Sequence, residues 1–406
     1  MIPPLRLTLR EAIELTANTN AKLAGHVNTR SAADARRRQA ALRPPVELNT
    51  EIENIFGTRS LGTFSDMEAT LSLGTVIELG DKRTSRMTLA DREKQALQAR
   101  QDMERLDILA EVAHQFVSVL HIQAELSMAR ENRALAAEVA KIAEQRAAAA
   151  VSTAVDKRNA DVGMVRAELD EVSAESRLKA AWAALVVHWG GSPESSGEAA
   201  GNLLDLPDIS SFSDIMARLD ASPDLAVLAA EKASRTAALA SSQSGAAPNI
   251  AVSAGVRRLQ AAREQAFVLS ASVPIGTASR SKPFADEARE DLAAIEYDIR
   301  AHRELLAGDL FGILQSLENS RRAVDLLVRK AIPAAQAARH EADTLFRSGR
   351  SSLLELTAAQ RQLLELRHEA IDAAHAYHDA IIDIERLTGM PITTTALLPT
   401  SQTSTP

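Results

Sequence analysis

The sequence predicts a mixed α+β fold, mainly α, with an internal two-fold repeat: two long helical hairpins, each preceded by a pair of β-strands. Three observations carry this. Only 3% of the 406 residues are aromatic and Ala, Leu, Glu and Arg dominate, a mixture suited to long helices packed through small side chains. Four short stretches alternate apolar and polar residues with period two, while the rest follows helical spacing. The order of elements recurs at an offset near 200 residues; Asp156 and Glu355, which follow the two hairpin turns, lie 199 apart.

Thr8 with Glu11 three residues on reads as a capping box. The helix it opens runs to Arg43, with a break at Asn18–Asn20, and stops at Pro44–Pro45. A strand follows at about 46–57, with Val46, Leu48, Ile52 and Phe56 on one face and Glu47, Asn49, Glu51 and Glu53 on the other. A second, at about 67–79, sets Met67, Ala69, Leu71, Leu73, Ile77 and Leu79 against Glu68, Thr70, Ser72 and Glu78. About ten residues per strand suits a tilted strand crossing a membrane. The helical hairpin at about 81–189 contains no proline or glycine from Asp81 to Ala149, so its first arm is a rod of about 100 Å. Its Ser-containing tip is Ala150–Asp156, and Gly190–Gly191 ends the second arm. Ser192–Pro207 reads as a connector.

The second repeat, 204–390, retraces the first (1–203). Its strands fall at about 249–258 (Ile250, Val252, Ala254 and Val256 on one face) and 266–276 (Phe267, Leu269, Ala271, Val273 and Ile275). Its hairpin, about 284–388, starts after Pro283 and carries Pro333 before a Ser-rich tip at Ser348–Ser352. Residues 391–406, rich in Thr, Ser and Pro, read as a disordered tail.

Composition also excludes. There is no cysteine, hence no disulfide, thiolate metal site, Cys nucleophile or N-terminal lipid-anchor Cys. A net charge of −8 argues against a nucleic-acid partner. No apolar run reaches 18 residues, and MIPPLRLTLREAIEL has no apolar h-region, so neither a transmembrane helix nor a signal peptide is read in the chain. No nucleotide loop, Ser-His-Asp order or HExxH motif occurs, and no cofactor and no enzymatic activity are expected.

Four strands cannot close a barrel, and an open sheet edge is not tolerated in lipid. Three chains would pool twelve strands, with Glu47, Asn49, Glu51, Glu53, Glu68 and Glu78 facing a wet, cation-friendly lumen. Six helical hairpins would continue this trimeric 12-stranded β-barrel as a long α-helical coiled-coil barrel standing in water. The plainer rival is a soluble structural coiled-coil protein with a small ribbon domain.

The chain resembles the TolC-like outer-membrane factor family over nearly its whole length. The resemblance rests on the duplicated order, the opening LTLREAIEL, GxxSLLEL at Gly349–Leu356, Pro333, and LTG at Leu387–Gly389. Ile77–Arg86, IELGDKRTSR, resembles the E-x-GGKR-x-x-R segment of the heavy-metal (cobalt-zinc-cadmium type) RND efflux branch, with Asp81 in place of the second Gly. The first tip departs from the family in having Ala150 where Gly is frequent. The resemblance implies a homotrimeric exit duct in the outer membrane of a Gram-negative bacterium, its helical part in the periplasm. It implies a periplasmic adaptor (membrane fusion protein) and an inner-membrane RND pump as partners, and divalent heavy-metal cations as cargo. The same fold also serves drug efflux and type I secretion.

It further implies that the tips, Ala150, Val151, Ser152 and Thr153 with Gly349, Arg350, Ser351 and Ser352, dock the adaptor. Asp156 and Glu355 are expected at a periplasmic gate, with Arg347 and Arg350 near enough in sequence to compensate them; Ala358 stands where some relatives carry another acid. The plainer reading is that both acids complement their helix dipoles. The i, i+3 pair His375/His378 has metal-ligand spacing. With no carboxylate-rich shell evident nearby, these histidines, like His114 and His121, are expected to line a polar helix seam.

Overall fold

A computed structural model describes residues 5–55, 58, 64–149 and 152–391. Ala150 and Val151 of the first tip, Phe56 and Gly57 of the first expected strand, and tail residues 392–406 lie outside the described residues. The chain divides into two compact units. One comprises residues 1–26, 101–224 and 303–406; the other, 27–100 and 225–302, interleaves both halves of the chain.

The 27–100/225–302 unit is organised on a four-stranded antiparallel sheet. Its strands are β2 (Glu47–Glu53), β3 (Glu68–Glu78), β5 (Asn249–Leu259) and β6 (Glu264–Ser272), hydrogen-bonded in the order β2-β3-β5-β6. The register pairs Leu48 with Leu73, Leu73 with Ala254 and Ala254 with Leu269, so the apolar residues of all four strands share one face. That face is open: Leu48 is 66%, Leu269 82% and Phe267 90% exposed. β6 stops at Ser272, short of the expected 276, because Pro274 has no amide to donate to the ladder. Four helical stretches complete the unit, drawn from α2 (Ala21–Ala40), α3 (Lys82–Ala148), α6 (Pro223–Ser244) and α7 (Thr277–Leu326). α7 begins at Thr277 with Pro283 inside it, not after Pro283 as expected. Pro283 falls in the second turn, where only one helical hydrogen bond is forfeited. Of the arginine run at 36–38, Arg37 pairs with Asp91 (Nε–Oδ1 2.6 Å).

The other unit opens with β1 (Leu5–Leu7) and α1 (Leu9–Thr19), whose Thr8–Glu11 capping box is present. Asn20 ends α1, and its Oδ1 accepts from the amides of Lys22 and Leu23 to start α2, so the break falls at the expected asparagines. Ser192–Pro207 is more than a connector: β4 (Gly197–Ala199) pairs parallel with β1. Gly197 must be glycine, because a Cβ there would lie 2.0 Å from the ring of buried Trp182. A short α5 (Phe212–Ala217) follows.

α4 (Ala154–Val186) buries Ala160, Ala167, Ala174 and Ala181 at seven-residue steps, and ion pairs such as Arg133–Glu171 and Lys157–Glu144 link it to α3. α9 (Leu353–Thr388) buries Tyr377, Ile381 and Ile384 against Leu310, Leu314 and Leu317 of α7, both at helical spacing. Between α7 and α8 (Ile332–Arg347), Leu327–Ala331 widens into a π-turn just before Pro333. The proline ring has no amide and crowds the preceding turn, and the wider turn accommodates it.

Candidate functional site

In the sheet unit, the face opposite the apolar one carries Glu47, Asn49, Glu51, Glu53, Glu68 and Glu78, all on one side as expected. Their charges are not equally free. Glu53 and Glu68 are direct cross-strand partners, a like-charge pairing that would be repulsive alone. Arg257 of β5 lies between them: Nη2 is 3.3 Å from Glu53 Oε2, Nη1 3.1 Å from Glu68 Oε2, and Nε donates to Thr70 Oγ1 at 2.9 Å. Glu78 is gripped by Arg86, whose Nη1 and Nη2 donate to Oε1 and Oε2 at 2.5 and 3.0 Å. Among the described residues, Glu47 and Glu51 have no ion-pair partner, so the expected band of free acid is reduced to these two in β2 and β3.

Arg86 belongs to IELGDKRTSR, which forms the corner between β3 and α3. Gly80 (φ +75°) and Asp81 (φ +54°) both take left-handed backbone to turn it. Gly80 also passes Ala247 so closely that a Cβ would sit 2.4 Å from the alanine's own. Lys82 Nζ donates to the Ala247 carbonyl (2.6 Å) and Asn249 Oδ1 (2.5 Å); Arg83 Nε donates to the Ala41 carbonyl (2.6 Å). The segment therefore clasps three chain corners at the base of the sheet: α2–β2, β3–α3 and α6–β5.

In the other unit, both hairpin turns are helix caps. Thr153 Oγ1 accepts from the Asp156 amide, while Asp156 Oδ2 accepts from the Thr153 amide (3.1 Å) and hydroxyl (2.7 Å). The Thr153 hydroxyl and amide hold the Asp156 carboxyl below its usual range. Ser352 Oγ accepts from the Glu355 amide, and Ser351 Oγ donates to Glu355 Oε2 at 2.6 Å. Gly349 (φ +76°) ends α8 with paired bonds, its own N–H to Phe346 and that of Arg350 to Leu345. Ser152 precedes Thr153 with its hydroxyl buried.

Arg347 does not compensate these acids. Its guanidinium binds Glu138 (2.5 Å) and Asp343 (2.9 Å). Asp343 is one turn back on the same helix, the nearest place for a carboxylate, while Glu355 is occupied across the turn by Ser351. The Arg347–Glu138 pair ties α8 to α3, and so does Arg146 of α3: it stacks 4.6 Å from the Phe346 ring and donates Nη1 to the Phe346 carbonyl (2.8 Å). Below it Ala143, Ala160, Leu353 and Leu356 form a core. No local motif marked Arg146, because its partner lies 200 residues away.

The histidines form a seam of α3 with α9, as expected, and carboxylates that were not expected beside them are present. His114 Nδ1 contacts Asp379 Oδ1 (2.8 Å) and Nε2 contacts Asp383 Oδ1 (3.1 Å); His121 contacts Asp372 (2.8 Å) and His375 contacts Asp379 (3.1 Å). Burial disfavours the charged imidazole of His114, but its two aspartates outweigh burial and raise its pKa to about 9. Burial pushes His375 and His378 down, and His378 Nε2 donates to the Leu203 carbonyl at 2.9 Å. His375 and His378 thus have different partners, and among the described residues no group of three or more His, Asp or Glu is arranged to hold a metal.

A sheet with one open apolar face, in a chain otherwise built of long paired helices, has the make-up of a membrane channel protein whose barrel is shared between copies. The family model described as outer membrane efflux protein matches residues 23–191 and 216–390, and the chain belongs to that family. It is 29% identical over 383 residues to the cobalt-zinc-cadmium resistance protein CzcC of Cupriavidus metallidurans, covering 94% of this chain and 90% of the relative. It is 25% identical over 295 residues to the nickel-cobalt-cadmium resistance protein NccC of Alcaligenes xylosoxydans xylosoxydans, covering 72% and 65%. The crystal structure of CusC shares the fold, with a TM-score of 0.80 at 16% identity over 95% of this chain and 93% of that one.

Proposed function

We propose that this protein is the outer-membrane exit duct of a tripartite RND-type efflux pump that exports divalent heavy-metal cations. It is a passive conduit, not an enzyme. The observation that carries the reading is the sheet: four strands whose two edges pair with no further strand among the described residues, one face apolar and open, the other acidic. Such an object is completed by pairing its edges with further copies in lipid. Three copies give twelve strands.

The helices support the same reading. Two residues on from buried Ala160 and Ala167 of α4, about 200° round the helix, Val162 and Leu169 continue a second seven-residue seam begun by Val155. All three are more than half exposed, and a helix with seams on opposite sides is built for a neighbour on each. In the homotrimer the helical part stands in the periplasm. The tips Ser152–Thr153 and Gly349–Ser352, with Ala150 and Val151, meet a periplasmic adaptor, and Asp156 and Glu355 ring the gate; an inner-membrane RND pump completes the assembly. The cargo rests on the two relatives, which are cobalt-zinc-cadmium and nickel-cobalt-cadmium resistance proteins.

The test is complementation. A Gram-negative host lacking its own metal-efflux channel, but carrying the matching adaptor and pump, is given this gene with an export signal. Restored growth on cobalt, zinc or cadmium salts is the expected result. Surface-exposed, trimeric protein that restores drug tolerance but no metal tolerance would overturn the cargo.

A further inference from the structure

The acidic face of the sheet carries one basic residue in its strands, and its position is specific. Glu53 and Glu68 oppose each other across the β2–β3 ladder at the end remote from the β3–α3 corner. Two carboxylates so paired, repeated round a three-fold lumen, would bind and retain a divalent cation. Arg257 fills the gap between them, bonded to both and steadied by Thr70 on the directly paired position of β3. Glu47 and Glu51, on the same face, have no such counter-charge among the described residues.

We propose that Arg257 is a specificity-determining residue of the conduit: a tethered counter-cation that occupies the Glu53/Glu68 pair and so keeps travelling divalent cations from lodging there. Conduction needs sites attractive enough to enter and weak enough to leave. The free acids Glu47 and Glu51 attract cations, and Arg257 prevents the next acid pair on the face from trapping them. The inference rests on the proposed duct, in which this face lines the lumen.

The experiment uses the full-length protein in planar bilayers, measuring reversal potential in a KCl gradient and block by Zn²⁺. Arg257→Gln should move the reversal potential toward that of a cation-selective pore and lower the half-blocking Zn²⁺ concentration severalfold. Adding Glu53→Gln and Glu68→Gln to it should return block to the wild-type level, and Arg257→Lys should stay close to wild type. If Arg257→Gln does not assemble, Glu53→Gln/Glu68→Gln alone serves, with the opposite sign expected: an unpaired Arg257 and reduced cation preference. A conducting Arg257→Gln pore with wild-type selectivity and block overturns the role of Arg257 and leaves the duct intact. A wild-type protein that forms no conducting pore overturns both.

Discussion

Arg86 reaches back eight residues to hold both oxygens of Glu78, at 2.5 and 3.0 Å, across the corner where strand becomes helix. The pair is partly screened, because Arg86 is 36% exposed, but Glu78 is not, at 15%. Arg86→Ala leaves a largely covered carboxylate without its fork, and loosens the corner through which Arg86 also reaches the Leu42 carbonyl. A loss of about 1 kcal/mol is expected, discounted for solvent at the arginine. Arg86→Lys should recover only part of it, since a point charge cannot grip two oxygens at once. Thermal unfolding in detergent checks both variants.

Gly80 provides a steeper test of the same corner. Its φ of +75° disfavours any Cβ, and the Cβ would also strike Ala247. Gly80→Ala should destabilise the sheet unit by about 2 kcal/mol or more. Gly80→Ala combined with Ala247→Gly should recover the steric part but not the backbone part. Unchanged melting of the single variant would show that the corner is not a close contact.

How much of this was legible in the sequence depends on the range of the signal. Glu47 to Glu53 and Leu48 to Ile52 announce their faces by alternation alone, and Gly349 with Ser352 announces a turn, because those causes are local. β1 and β4 were missed because three residues each, LRL and GEA, are too few to show a period. The placement of Arg257 between Glu53 and Glu68 depends on register across three strands and 204 residues of chain, which no spacing reveals. The seam around His114 is intermediate. Its aspartates are over 260 residues away, yet the i, i+4 pair His375–Asp379 was there to be read.

That seam gives a pH prediction with a definite sign. His114 is held between Asp379 and Asp383, with His375 sharing Asp379, and its folded pKa of about 9 exceeds the ordinary value of about 6.5. Protonated His114 therefore stabilises the α3–α9 packing. The contribution is complete below about pH 6.5 and is lost as pH rises through about 9. At 1.36 kcal/mol per unit the swing is about 3 kcal/mol. Melting temperature should fall between pH 7 and 10 in the wild type, and His114→Gln should show a flatter profile over that window.

The last prediction separates two roles of the tip acids. Asp156 caps its helix with Thr153, and Glu355 is held by Ser351 and Ser352, so removing either acid weakens a helix start whatever else it does. Thr153→Ala also removes a cap, at a cost of about 1 kcal/mol, but leaves the carboxylate. Ser352→Ala does the same for the second tip. If the acids only cap, these hydroxyl variants and the acid variants Asp156→Ala and Glu355→Ala should alter conductance alike. If their charges ring a gate, as the proposed duct requires, the acid variants alone should change divalent-cation block in planar bilayers. We expect the second outcome, with Glu355→Ala weakening block and Asp156→Ala raising the resting conductance. The bonds from Thr153 keep Asp156 ionised to lower pH than an ordinary aspartate, so its charge should persist through mildly acidic solution and be lost as pH falls through its lowered pKa. In the proposed duct, in which both tips meet the adaptor, bulky charged residues at Ser152 and Ser352 should abolish metal resistance while trimers still assemble. Equal conductance and equal block in Thr153→Ala and Asp156→Ala would remove Asp156 from the gate and leave it a capping residue.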